Sequence, residues 1–406
     1  MIKTPVEIHK SDLRIMFMPT LNPGDVYYRI ISIAKYMRRV DKTIVAYEPV
    51  MYNDEYCYKW EWRMDKDTSL VANKLQNIIE KEIKPNIIIY QKVCLPKTLA
   101  MIQVIRKTYN IPAFLEVDDY NIGINSENYA YSAYNPGSQA EKVFFEQMKI
   151  SDGIIVSTPF LQKEFSKYNK NVTIMRNGID FEVWDKLKDK GNKKIEFMTK
   201  LPIQGREHER VKDYIKPKDK GEIRIGWAGG SAHSKDLLIL KDAIRIIVKK
   251  YKNIKFYFAG GAPDDIKYKN VKIHICWVPI NEYPQFLKDC QFDIGLFPLY
   301  DNNFNRAKSN LRWLEYSALK IPTIASNTAE ASRTIQDGYT GLIVKNETEY
   351  WVEAISKLVE DRKTRLLIGE NAYNEVKKNY NCKQIGEEYV EHIKKQVRYF
   401  RRDNGK

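Results

Sequence analysis

Short apolar runs rich in β-branched residues alternate with amphipathic stretches along nearly the whole chain, and this alternation restricts the fold more than any other feature of the sequence. Residues 13–18, LRIMFM, are followed by the turn-rich PTLNPGD and the helix-period segment VYYRIISIAKYMRR. The same order returns with TIVAYEPV at 43–50, NIIIYQKV at 86–93, PAFLEVDD at 112–119 and DGIIVSTP before VTIMRN, each separated by a stretch of helical period. Strands that carry apolar residues on both faces must be covered on both faces. The pattern therefore predicts a parallel sheet with helices on either side.

Between about Val183 and Glu222 the pattern lapses into charged, glycine- and proline-punctuated sequence, with DKLKDKGNKK and KPKDKGE at its ends. It resumes with EIRIGWAGG at 222–230, then strands NIKFYFAGG, VKIHICWV, FDIGLFPL, IPTIAS and GLIV with helices between them, and helices over 348–360, 362–379 and about 383–402. At 406 residues the chain is too long for one ordinary core. The expectation is an α/β chain of two doubly wound, Rossmann-like domains: residues 1–180, a charged linker or insertion at 181–221, residues 222–380, and a terminal helix with a basic tail at 381–406. The tail KKQVRYFRRDNGK is basic and would add to the surface of the first domain if the last helix crosses back to it.

Composition narrows the chemistry. With 67 Lys+Arg against 52 Asp+Glu the formal charge is +15, which favours a polyanionic partner such as DNA, an anionic membrane or a phosphate-bearing substrate. The five cysteines are odd in number, scattered and never paired as Cys-x-x-Cys, and the five histidines lack ligand spacing, so neither a disulfide framework nor a metal site is expected. No run approaches the ~20 apolar residues of a membrane span, and MIKTPVEIHKSDLR lacks the apolar centre of a signal peptide, so a cytoplasmic protein is expected.

The segment 308–344, KSNLRWLEYSALKIPTIASNTAEASRTIQDGYTGLIV, carries the clearest chemistry. Lys308, Asn310 and Leu311 stand at the start of a helix directly after the strand FDIGLFPL, an arrangement of backbone amides and a cation suited to phosphate. Glu315, farther along that helix, has acceptor capacity on both oxygens for a vicinal diol such as a ribose.

This run resembles the donor-site signature of GT-B fold glycosyltransferases, particularly the retaining family-four (glycosyl transferases group 1) type. Glu315 matches the second, ribose-binding glutamate of a Glu-x7-Glu helix. Lys320-Ile321-Pro322-Thr323-Ile324-Ala325 resembles the Gly-x-Pro-x-Ile-Ala strand, and Asp337-Gly338-Tyr339-Thr340-Gly341-Leu342-Ile343-Val344 resembles the closing Asp-Gly-x-x-Gly-x-Leu-Val. Asn177-Gly178-Ile179-Asp180 looks like the end of the first domain of such enzymes, and Ile225-Gly226-Trp227-Ala228-Gly229-Gly230 like the first strand and loop of the second. There are departures. Ala307 stands where the first glutamate would lie, Ala329-Glu330 replaces a glycine pair, and the first loop of the second domain lacks the usual Arg and Lys pair.

The resemblance implies that Gly229, Gly230, His233 and Lys235 approach the diphosphate and Trp277 the base, and that Glu330, or the backbone of Thr328 to Ala331, approaches the donor. In the first domain it implies a cleft-facing loop at Gly24 and Asp25, with Arg29 reaching a phosphate or an acidic acceptor. Glu116, Asp118 and Asp119 end a parallel strand, where open sheets hold ligands, so Asp118 and Asp119 are candidates for a general base or a sugar-positioning role. Lys308 would stabilise the leaving diphosphate. The tyrosine-rich segment 120–137, with Tyr129, Tyr131 and Tyr134, reads as an acceptor loop. The resemblance also implies a nucleotide-diphosphate sugar, a UDP-sugar, as co-substrate, no required metal or other cofactor, and transfer with retention. The acceptor is expected to be a surface glycan, a lipid-linked saccharide or a wall polymer. A modified base in DNA and an inactive sugar-nucleotide-binding scaffold are the alternatives.

Overall fold

The structure is a computed structural model, and it describes residues 13–19, 23–40, 43–47, 76–122, 124, 131–201, 209–230, 233, 235–263, 266, 268–274 and 278–403. The chain divides into two compact units, Met1–Asp180 with Asn381–Lys406, and Phe181–Tyr380.

Among the described residues the first unit holds six parallel strands: β1 Leu13–Met18, β2 Thr43–Tyr47, β3 Ile87–Gln91, β4 Ala113–Val117, β5 Gly153–Val156 and β6 Val172–Ile174. Their order is β2-β1-β3-β4-β5-β6, so the direction of winding reverses between β1 and β3. Strands β3, β4 and β5 are buried at every residue, as continuous apolar runs require in a sheet covered on both faces. Helix α1 follows β1 and runs as Pro23–Val26, a π-turn Tyr27–Ile31, and Ser32–Met37. Helices α2 Pro96–Thr108, α3 Gln139–Ile150 and α4 Pro159–Phe165 complete the crossovers. Ser138 caps α3 and Thr158 caps α4, each accepting a backbone N–H of the first turn.

Among its described residues the second unit also holds a sheet of six parallel strands: β9 Ile223–Ala228, β10 Ile254–Ala259, β11 Val271–His274, β12 Ile294–Phe297, β13 Thr323–Ser326 and β14 Leu342–Val344. The order β11-β10-β9-β12-β13-β14 is the dinucleotide-fold order, with its switch point between β9 and β12. Helices α5 Lys241–Lys250, α6 Tyr283–Asp289, α7 Leu311–Ala318, α8 Thr348–Glu360 and α9 Arg362–Asn379 flank it. Tertiary approach is closest where glycines face neighbours. A Cβ at Gly369 in α9 would lie 2.1 Å from the Lys320 carbonyl oxygen, and one at Gly295 in β12 would enter the Tyr316 ring.

Helix α10, Cys382–Asp403, belongs to the first unit. Its Tyr389, Val390 and Ile393 share a core with Ile30, Ile33 and Met37 of α1, and Gly386 admits Tyr36 Cβ and the backbone of Ile33 and Met37 to near contact. The Asn177–Asp180 motif is the fastening point of this return. Ile179 bridges Asn381 and accepts from the Cys382 N–H at 3.0 Å, while Asp180 accepts from Tyr36 Oη at 2.7 Å and pairs with Lys35.

The segment read as a linker contains an antiparallel hairpin, β7 Ile195–Leu201 and β8 Glu209–Ile215, within the second unit. One face supplies apolar contact, with the Phe197 ring 4.8 Å from that of Phe286. The period-two alternation that makes a half-buried ribbon is hidden in the sequence by its charged solvent face.

Candidate functional site

The switch point of the second sheet gathers most of the residues the sequence singles out. Strand β9 ends at Ala228, whose N–H donates to Tyr316 Oη at 3.2 Å, and the chain passes through half-buried Gly229 to exposed Gly230. A Cβ at Gly229 would lie 2.3 Å from Arg312 Nη2 and 2.8 Å from Nη1, so only glycine lets that guanidinium lie against the loop. The Arg312 guanidinium sits 4.7 Å from the centre of the Trp227 ring and 5.8 Å from that of Phe297, a double cation–π contact at the ends of β9 and β12. Its Nη1 is buried and has no hydrogen-bond partner.

His233 approaches from the same loop. Its Nδ1 is 2.9 Å from Asp236 Oδ2, and Asp236 is held in turn by the Tyr300 N–H at 2.9 Å and by Asn305 Nδ2 at 2.7 Å, both donating to Oδ1. Burial pushes the imidazole below its usual range, and the charges of Arg312 and Lys308 push it further, against the pull of Asp236. Arg312 and His233 both lie beside the Trp227 ring, the His233 ring at 6.2 Å from it, and the charge of Lys308 also reaches the imidazole. Lys235 is exposed on the following turn, and Trp277 lies outside the described residues.

Helix α7 begins here. Asn310 stands at its N-cap with no side-chain cap bond, and its Nδ2 donates instead to Thr334 Oγ1 at 3.3 Å. Lys308 Nζ lies 4.4 Å from the centre of the Phe304 ring. Ala307, in place of the carboxylate of the resembling family, is fully buried. Glu315 is 6 % exposed, and its Oε2 already accepts from Tyr283 Oη at 3.3 Å, so part of the acceptor capacity expected for a diol is taken by the protein. Burial, followed by the Glu315 charge, drives the Tyr283 phenol well above its usual range, which keeps it a donor.

Two loops after α7 follow the motif while changing its residues. Lys320 and Ala329 both have left-handed φ, 58° and 57°, where the resembling pattern has glycine, so the backbone shape is retained at a cost of about 1 kcal/mol each. Glu330 precedes the short turn Ala331–Thr334 and pairs with Arg333 at 2.6 Å; burial raises its carboxyl despite that partner. In the Asp337–Val344 turn, Asp337 Oδ1 accepts from the Ile343 N–H and the Thr340 carbonyl accepts from Trp313 Nε1, which ties α7 to β14.

In the first unit, Gly24 and Asp25 occupy the first turn of α1 at the corresponding switch point. Arg29 and Glu116 do not stand open to an acceptor. They form a salt bridge at 2.6 Å with both side chains 1 % exposed, Arg29 Nη1 also donates to the Met175 carbonyl and to Asn177 Oδ1, and Gln91 donates to the second oxygen of Glu116. Packing of α1 against the sheet places this pair inside, which a linear sequence does not reveal.

Asp118 and Asp119 lie past the end of β4 and are half-buried. Burial, with Asp119 and Glu116 adding repulsion, pushes the Asp118 carboxyl up to about 7. Lys92, at the end of β3, donates to Asn121 Oδ1 and lies 5.2 Å from the centre of the Tyr134 ring. Tyr131 opens the short turn Tyr131–Tyr134 and is half-buried; Tyr129 lies outside the described residues. Among the described residues no group of three or more His, Cys, Asp or Glu side chains is arranged to hold a metal ion, and no helix is long and apolar enough to cross a membrane.

Sequence reasoning missed Arg312, Asp236 and Tyr283. Arg312 did leave a trace, because two cations four residues apart at the N-terminal end of a helix oppose the helix dipole, an arrangement that an anion would relieve.

Residues 222–361 match the family described as Glycosyl transferases group 1. The capsular polysaccharide biosynthesis glycosyltransferase CapM of Staphylococcus aureus is 28 % identical over 178 residues, which is 40 % of this chain and 44 % of that protein. An uncharacterized glycosyltransferase of Methanocaldococcus jannaschii is 39 % identical over 67 residues, 16 % of this chain and 17 % of its own. The matches thus span less than half the length of these curated relatives. Among solved structures, Anabaena HepE in complex with UDP has a TM-score of 0.63 at 13 % identity, covering 94 % of this chain and 100 % of the other. The catalytic domain of Arabidopsis thaliana starch synthase IV bound to ADP and acarbose has a TM-score of 0.64 at 10 % identity, covering 95 % and 100 %. Two parallel sheets in these strand orders and the likeness to these solved structures lead to one conclusion: the chain has the GT-B fold, and its residues 222–361 match the glycosyl transferases group 1.

Proposed function

We propose that the protein is a glycosyltransferase that moves a sugar from a UDP-sugar to an acceptor hydroxyl, with retention at the anomeric carbon. The observation that carries this reading is the convergence of Arg312, Lys308 and His233 on one switch point, beside Glu315 on the same helix as Arg312. The arrangement suits a nucleoside diphosphate, with cations and the α7 amides at the phosphates and Glu315 at the ribose. HepE has been solved with UDP and with UDP-glucose, which supports uridine as the base. Gly229, Gly230, Lys235, Asn310, Leu311, Glu330 and Trp277 complete the donor site in this reading, and no metal or other cofactor is required.

In the reaction, the bond from the anomeric carbon to the β-phosphate oxygen breaks and its electron pair stays on that oxygen. The acceptor hydroxyl oxygen bonds to the carbon on the same face, and its proton passes to a base. Asp118 or Asp119 is assigned that role, or the positioning of the sugar, with Gly24, Asp25 and Tyr131 near the acceptor. Charge develops on the departing diphosphate, where fixed cations stabilise it most.

The relationship to CapM supports a surface polysaccharide, or its lipid-linked precursor, as acceptor, approached from the cytoplasmic face of an anionic membrane. Release of UDP from a panel of UDP-sugars, with lipid-linked saccharide, wall polymer or hydroxymethylated duplex DNA as acceptor, tests this. Stimulation by a saccharide acceptor is expected. Stimulation by DNA alone, with steeply salt-dependent binding, would move the acceptor to a modified base. No turnover with any acceptor, despite UDP binding, would favour a nucleotide-sugar-binding scaffold.

A further inference from the structure

We infer that Arg312 is the diphosphate clamp of this chain, taking from helix α7 the role that the first loop of the second unit does not fill; the inference rests on the donor-site reading above. Four observations meet at this side chain. The loop Gly229–Lys235 offers His233 and Lys235 but no arginine, and His233 already has Nδ1 committed to Asp236. Gly229 leaves room for the guanidinium where any Cβ would strike it at 2.3 Å. The guanidinium is carried on the ring faces of Trp227 and Phe297, which hold a cation without neutralising it. Its Nη1 is buried without a partner, an arrangement that costs free energy until an acceptor arrives.

The location fits as well. Arg312 is the second residue of α7, where the N-cap Asn310 makes no side-chain cap bond and the helix dipole disfavours a cation. An entering anion would offset that cost. A planar guanidinium can meet two phosphate oxygens at once, so it recognises a diphosphate through geometry as well as charge, whereas a lysine acts as a point charge. The same contact would strengthen as the leaving diphosphate gains charge, so loss of Arg312 should lower turnover in addition to affinity.

The test is calorimetric titration of the full chain and of Arg312→Gln and Arg312→Lys with UDP and, separately, with uridine. The clamp predicts that Arg312→Gln weakens UDP by about 10- to 100-fold and leaves uridine within about twofold, a loss typical of one charged hydrogen-bonded contact. Arg312→Lys should recover part of the UDP affinity. Retained uridine binding shows that the variant site is folded; if uridine weakens as much as UDP in both variants, Arg312 shapes the site without reading phosphate and the inference is overturned. An unchanged UDP-to-uridine ratio in Arg312→Gln overturns it while leaving the donor reading intact. Failure of the native chain to bind UDP overturns the donor reading and this inference with it.

Discussion

Removing Glu116 should unfold the first unit far more readily than a surface carboxylate would, because it abandons a charge inside the protein. Arg29 Nε donates to Glu116 Oε1 at 2.6 Å, and Arg29 is 1 % exposed. Glu116→Ala leaves the guanidinium hydrogen-bonded to the neutral oxygens of Met175 and Asn177, and it also removes the Glu116 oxygen to which Gln91 Nε2 donates. Breaking a buried pair from one side costs about 3–5 kcal/mol, and for a unit of about 200 residues each kcal/mol lowers the midpoint by roughly 2–4 °C. The expected fall in Tm is therefore about 6–20 °C. Arg29→Met should cost a similar amount, and the double variant should cost less than the two singles together, since neither charge is then left alone. Thermal unfolding of the four proteins in a double-mutant cycle measures this, with UDP affinity at low temperature as a check that the second unit is untouched. A Glu116→Ala protein within about 1 kcal/mol of the native chain, but deficient in transfer, would refute the structural assignment and return Glu116 to the acceptor.

Four further outcomes follow from the same geometry. The His233 imidazole is held below its usual range by burial and by Arg312 and Lys308, so the unfolded state binds the proton more readily; this residue's contribution to stability should fall as pH drops through the ordinary histidine range, and His233→Gln should remove that dependence in pH-resolved melts. A bound diphosphate reverses the local field, so UDP should bind more tightly as pH falls in that range, with net proton uptake measurable by calorimetry in buffers of different ionisation enthalpy. The Asp118 carboxyl is pushed up to about 7 by burial and by Asp119 and Glu116, so it contributes stability at low pH that is lost as pH rises through about 7; Asp118→Asn should flatten that decline in pH-resolved melts. Gly369→Ala should destabilise the second unit by about 1–3 kcal/mol in denaturant titration, because its Cβ would meet the Lys320 backbone oxygen at 2.1 Å and backbone cannot step aside.

The strands were legible because each buried parallel strand announces itself as an apolar run, and the two sheets follow those runs closely. The hairpin β7–β8 was not legible, since its solvent face carries enough charge to look like a linker. At the sites, the Lys308–Val344 motif located α7 and its flanking turns because their backbone shapes are local, down to the left-handed φ retained at Lys320 and Ala329. What the sequence concealed was pairing. Arg29 and Glu116 lie 87 positions apart and look like two exposed charges until α1 packs on β4. Arg312 looks like an ordinary helix cation until Gly229, far away in the chain, is seen to make room for it.

The most direct test of the donor site is titration of the native chain and of Glu315→Gln with UDP and with 2′,3′-dideoxy-UDP. Glu315, positioned by Tyr283, should favour UDP over the analogue in the native chain by the worth of hydrogen bonds to a carboxylate, about 1.5–3 kcal/mol or 10- to 150-fold, and Glu315→Gln should lose most of that preference. Equal affinity for both nucleotides in the native chain, or no binding of either at millimolar concentration, would contradict a nucleotide-sugar site at the switch point of the second sheet.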